Sequence, residues 1–134
     1  MGCNMAVNRT TFDRVGGFDE SIAPGEDFDF AWRAQLAGAT VGFSPEAVVH
    51  RRLRRGWPAF KTSVSYGMSD VQLYRRFADQ GLPPRRLRGL ARAFGAILAM
   101  PLCLTARYRY GWMHLAGVEI GRILGSIRER VLYL

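Results

Sequence analysis

The chain has 134 residues, of which 49% are hydrophobic and 22% charged, with a formal net charge of +8. That suffices for one domain of ordinary size with an apolar core, and it excludes the disordered and collagen-like classes. The charge is unevenly divided: residues 1–50 hold three arginines against seven acids, a net of −4, whereas residues 51–134 hold 16 basic residues against four acids, a net of +12.

In chain order, Met5-Ala6-Val7 is a short apolar stretch suited to a strand. Thr10-Thr11-Phe12-Asp13 has the hydroxyl-x-x-acid spacing of a helix start, and Gly16-Gly17 ends that helix early. A loop follows to Pro24-Gly25. A second helix is predicted from Glu26 to about Gly38, since acids in a first turn suit the positive end of the helix dipole. Residues 40–44 and 47–50 read as short strands around Ser44-Pro45. The arginine-rich stretch beyond, with aromatics interleaved, predicts helices near 57–67 and 68–80, ended by Gly81. Leu82-Pro83-Pro84 is a linker. The tail, 85–134, shows apolar residues at helical spacing (Trp112, Leu115, Ala116, Ile120, Ile123, Leu124, Ile127, Val131), with Arg122, Ser126, Arg128, Glu129 and Arg130 on the other side. That pattern predicts a basic amphipathic helix with its apolar stripe turned inward or onto a membrane surface.

Other signals are weaker. Cys3 and Cys103 have no metal-ligand spacing and fit a reducing, cytoplasmic-type compartment. Asn4, Asn8 and Arg9 interrupt the start, so no secretory leader is expected there. The longest uncharged run, 93–106, is 14 residues long and contains Pro101. It is short for a membrane span and suits a buried or interfacial helix.

Several motifs stand in order over the first 50 residues: Gly2/Asn4, Arg9/Phe12, Gly16-Gly17-Phe18-Asp19-Glu20, Gly25-Glu26-Asp27 with Arg33 six residues after Asp27, and His50. This order resembles the family 2 glycosyltransferases of GT-A fold. The resemblance is close over about the first 50 residues and loose to about residue 70. It implies an α/β fold, a partial GT-A domain over residues 1–80, followed by a basic helical tail over 81–134. It also implies inverting transfer of a sugar from a nucleotide-sugar donor to a hydroxyl acceptor, a glycan or a lipid-linked carrier of the cell envelope.

In that family the Asp of the Glu-Asp pair is the catalytic base, which maps to Asp27. A carboxylate at a helix N-terminus stays ionised and ready to take a proton; a plain helix cap is the structural alternative. Glu26, Arg33, Asn4 and Gly2 are assigned to the acceptor side. A structural salt bridge is an equal reading for Arg33, and a strand-entry turn for Gly2 and Asn4. The resemblance gives His50 a part in holding a divalent cation, Mg²⁺ or Mn²⁺, which neutralises the leaving diphosphate. A structural role is the other reading for this lone histidine. Arg51 and Arg52 are candidates for phosphate or membrane contact, with a solvated basic surface as the alternative.

Family members also carry a nucleotide-binding half with an Asp-x-Asp motif, which would hold most of the metal. Asp27-Phe28-Asp29 has those letters but lies inside the base motif and is not taken for it. The chain is therefore expected to be part of a larger enzyme and not to transfer sugar alone. Its missing half, or a second copy, becomes an expected partner. The expected location is the cytoplasm, peripheral on the inner face of the plasma membrane. A non-catalytic basic module for membrane surfaces or nucleic acid is the rival reading. The absence of a recognisable nucleic-acid motif argues against nucleic acid as a partner.

Overall fold

The computed structural model describes residues 2, 4–22, 24–50, 52, 56–84, 86–105 and 107–133, apart from the side chains of 86–88, 90, 102 and 103. The chain divides into two compact units, Met1–Arg52 and Leu53–Leu134.

The first unit holds two helices, α1 (Arg9–Val15) and α2 (Glu26–Leu36). Asn8 starts α1 by accepting the Thr10 N–H on its side chain, so the cap lies two residues before the Thr10 signal. Gly16 ends the helix at φ 78°, and Gly17 follows at φ 72°. Both angles lie in the left-handed region that glycine enters without steric cost. A Cβ on Gly17 would also meet the Phe12 ring at 3.0 Å. The double turn folds Phe18 back over α1. Phe12, Phe18 and Phe30 then form a three-ring cluster with centroids 5.0–5.7 Å apart, and Phe30 is buried. Phe30 is the buried member of this cluster and forms the core of the unit with Ile22 and Ala34.

The α/β architecture expected for this region is not what forms. Among the described residues there is no strand. Residues 5–7, 40–44 and 47–50, read as strands, lack regular secondary structure apart from a turn at 45–46. A strand is held by its ladder with a neighbour, and none of these segments has one here. Their apolar side chains are correspondingly exposed: Val41 at 61%, Phe43 at 90% and Val48 at 70%.

The second unit is built from α3 (Trp57–Phe77), α4 (Arg86–Leu98) and α5 (Arg109–Glu129), with 3-10 turns at Ala78–Gln80 and Met100–Leu104. Two helices were expected over 57–80. One helix runs to Phe77 instead, and Gly81 closes its 3-10 extension. Helix α3 packs along α5 within this unit.

Helices α3 and α5 meet along a seam of small residues. Gly117, Gly121 and Gly125 recur every fourth position on α5 and face Ser63, Gly67 and Val71 of α3. A Cβ on Gly67 would run into the Val118 carbonyl oxygen, and one on Gly121 into that of Val64. Backbone thus lies directly on backbone, as only a small-xxx-small pattern allows. The glycine cost in helix propensity is offset by this close approach. Beside the seam, Arg122 is 5% exposed and Glu119 5%. The Arg122 guanidinium donates to Asp70 Oδ2 at 2.7 and 3.0 Å and to Glu119 Oε1 at 2.6 Å. The Trp112 indole N–H donates to the Ala96 carbonyl at 2.8 Å and ties α4 to α5.

Of the two orientations expected for α5, the one with its apolar stripe turned inward is therefore not what forms. Its buried residues are Ala116, Gly117, Glu119, Gly121, Arg122 and Gly125, while Ile120, Ile123, Leu124 and Ile127 are 42–71% exposed.

Two glycine substitutions separate close approach from propensity. Gly121→Ala is expected to lower unfolding stability by about 1–3 kcal/mol through overpacking. Gly95→Ala in α4, where a Cβ meets nothing within 4 Å, is expected to be neutral or to stabilise by up to about 1 kcal/mol. Urea denaturation of both variants checks this contrast.

Candidate functional site

The acids predicted to carry chemistry gather at the start of α2. Gly25 caps the helix from the left-handed region at φ 118°, and Glu26, Asp27 and Asp29 occupy the first turn. Their side chains take different partners. Glu26 curls back, so that its Oε2 accepts the Gly25 N–H at 2.8 Å. Asp27 is 7% exposed. Its Oδ2 accepts the Gly2 N–H at 2.6 Å, and its Oδ1 accepts the Phe28 N–H at 2.9 Å. Gly2 thus lies against the carboxylate, where a Cβ would stand 3.4 Å from Asp27 Cβ.

Burial pushes the Asp27 carboxyl upward. The Gly2 and Phe28 N–H donors pull it downward, and the net shift is below the usual 3.8. Asp27 is therefore an ionised carboxylate at neutral pH. Each oxygen accepts a backbone N–H.

Asp29 is fully buried and points the other way. Its Oδ2 accepts from Arg33 Nε at 2.8 Å. The rest of the Arg33 fork reaches across to α1: Nη1 donates to the Val15 carbonyl, and Nη2 to the Gly17 carbonyl at 2.7 Å. The guanidinium also lies 5.9 Å from the Phe30 ring centroid. Arg33 is thus a brace between α2 and the Gly16-Gly17 turn. Of its two sequence readings, this geometry describes the structural one. The spacing of four between Asp29 and Arg33, which puts them on one face of a helix, is the sequence signal for this pair.

The remaining candidates sit apart from Asp27. The Asn4 side-chain amide donates to the Ala47 carbonyl, pinning the 40–50 segment to the start of the chain. His50 and Arg52 are exposed and belong to no helix or strand. Arg51 lies outside the described residues, as do Arg54 and Arg55. Among the described residues no three His, Cys, Asp or Glu side chains converge as a metal site would require. The described residues therefore do not make a divalent-cation site on their own.

Two predictions follow from this geometry. Arg33→Met leaves Asp29 as an uncompensated buried charge and is expected to cost about 3–5 kcal/mol of unfolding stability, read by urea denaturation. Asp27, with its folded value depressed, adds stability above its unfolded value of 3.8, and that stability is lost as pH falls through the folded value. Wild type should therefore lose stability on acidification below about pH 4 more steeply than Asp27→Asn, measured by urea unfolding at a series of pH values.

Comparison with known proteins bears directly on these residues. Residues 1–120 match the family model described as glycosyl transferase family group 2. Two curated relatives, each named pre-mycofactocin glycosyltransferase, come from Mycobacterium tuberculosis strains CDC 1551 / Oshkosh and ATCC 25618 / H37Rv. Each is 43% identical to this chain over 72 residues, which is 52% of the chain and 15% of the relative. The match thus spans a small part of either relative's length. No solved structure matches. With a family match over most of its length and a run of motifs that builds one buried carboxylate site, the chain belongs to glycosyl transferase family group 2.

Proposed function

We propose that the first unit carries the acceptor side of an inverting sugar transfer, with Asp27 as the general base. The observation that supports this most is the state of that carboxylate: nearly buried, oriented by two backbone N–H groups, and held ionised at the N-terminus of α2. A base that removes a hydroxyl proton must be deprotonated and fixed before the acceptor arrives.

In the proposed reaction an acceptor hydroxyl gives its proton to Asp27 as its oxygen attacks the anomeric carbon of a nucleotide sugar. The new carbon–oxygen bond forms on the face opposite the leaving group. The bond to the nucleotide diphosphate breaks, and the diphosphate leaves with the electron pair. One displacement of this kind inverts the anomeric centre. The acceptor class proposed is a glycan or a lipid-linked carrier.

Within the site, Glu26 and Gly2 shape the wall around Asp27. Glu26 folds onto the Gly25 N–H and fixes the turn that presents the base. Gly2 brings a backbone donor to the carboxylate without side-chain bulk. Arg33 acts through position, since it holds α2 against the Gly16-Gly17 turn. Metal and diphosphate binding are proposed to lie mostly on residues other than those described, because His50 has no companion ligands among them.

The test is a radiolabelled nucleotide-sugar transfer assay on the whole polypeptide that bears these residues. Asp27→Asn should lower kcat by about 10²–10⁴-fold, the usual worth of a positioned base, while the donor KM changes little. Turnover equal to wild type would show that Asp27 is only a helix cap.

A further inference from the structure

We infer that the second unit docks on an anionic lipid surface, with the outward apolar sides of α4, the Met100–Leu104 turn and α5 against the bilayer. The basis is the outward apolar stripe of that unit. Its inside already holds the ionic group of Arg122, Asp70 and Glu119 and the glycine seam, so the polar atoms are satisfied and the helices are already joined. Large apolar side chains remain outside: Phe94 at 64%, Ile97 at 67%, Leu98 at 81%, Leu104 at 79%, Ile123 at 44% and Ile127 at 71% exposed. In water such side chains cost free energy, and they fall at helical spacing, at 94, 97 and 98 on α4 and at 120, 123, 124 and 127 on α5, so each helix turns an apolar side outward.

Charge complementarity selects the occupant. Residues 51–134 carry a net charge of +12, and the uncharged run 93–106 is bracketed by Arg92 on one side and by Arg107 and Arg109 on the other. Arg92 and Arg107 are exposed. An apolar run flanked in sequence by exposed arginines matches a bilayer whose headgroups are anionic and whose acyl boundary is apolar. Among the described residues no helix is long and apolar enough to cross a membrane, so the helices lie in the interface. Small-residue seams and internal ion pairs are also how helices associate where apolar contact with the surroundings costs nothing.

The experiment is vesicle co-sedimentation of the full chain, in the absence of nucleotide sugar and acceptor, so its outcome is independent of the transfer reaction. Binding is expected to mixed phosphatidylglycerol–phosphatidylcholine vesicles and to be much weaker with phosphatidylcholine alone. Leu98→Glu and Ile127→Glu should each lower the partition coefficient by about tenfold or more, since a large apolar side chain is withdrawn from the acyl boundary. Their thermal unfolding should match wild type because both positions are exposed. Arg92→Gln with Arg107→Gln should weaken binding to anionic vesicles and leave the residual binding to neutral ones unchanged. No binding to anionic vesicles, or binding that the two glutamate variants leave intact, overturns the inference. So does a stable dimer in solution that fails to bind vesicles and that Ile127→Glu dissociates, which would assign the face to a second copy.

Discussion

A guanidinium taken out of water must be surrounded by acceptors, and each unit of this protein is organised around one that is. In the first unit, Arg33 spans from Asp29 to the carbonyls of Val15 and Gly17. In the second, Arg122 sits between Asp70 and Glu119. The planar fork of arginine can serve several acceptors in fixed directions, which a lysine ammonium cannot do with the same geometry. Removing either acceptor set would strand a shielded charge, so these bonds constrain the helices that supply them.

For the candidate site this constraint has a direct result. The motif residues do not all converge on a ligand. Some build the frame and one faces the chemistry. Gly16, Gly17 and Phe18 form the turn and the aromatic cluster, and Arg33 clips that turn to α2. Asp29 orients Arg33. With α2 so held, its first turn presents Asp27 to the Gly2 N–H, and the carboxylate stays ionised. Asp27 and Asp29, two residues apart on one helix, thus divide the work: one points toward the chain's start and the other into the brace.

The second unit solves a different problem. Helices α3 and α5, joined by a seam of glycines, need few apolar side chains between them, because backbone atoms supply the dispersion contacts at short range. Apolar residues are then released to the outside, while the polar residues of α5 find partners within. The same helix carries an apolar stripe and a small-residue stripe, and packing chose the second as its inner face.

Much of the first unit was legible in the sequence for local reasons. Gly16-Gly17 ends α1 because glycine enters the left-handed region, and the acids of Glu26 to Asp29 open α2 because of the helix dipole. The sequence by itself thus determined the family, α1, α2 and the helical pattern of α5, and the place of Asp27 in a first turn, whereas its pattern divides α3 in two and does not delimit α4. What only the tertiary structure decided was what each side chain meets. Residues 40–44 and 47–50 have strand-like composition, but a strand exists through its ladder, and no partner strand stands beside them among the described residues. The apolar stripe of α5 was read correctly as a stripe, yet periodicity gives its angular position on the helix and not the side on which a neighbour will pack. Gly117, Gly121 and Gly125 set that side, since only there can the backbone of α3 come close enough.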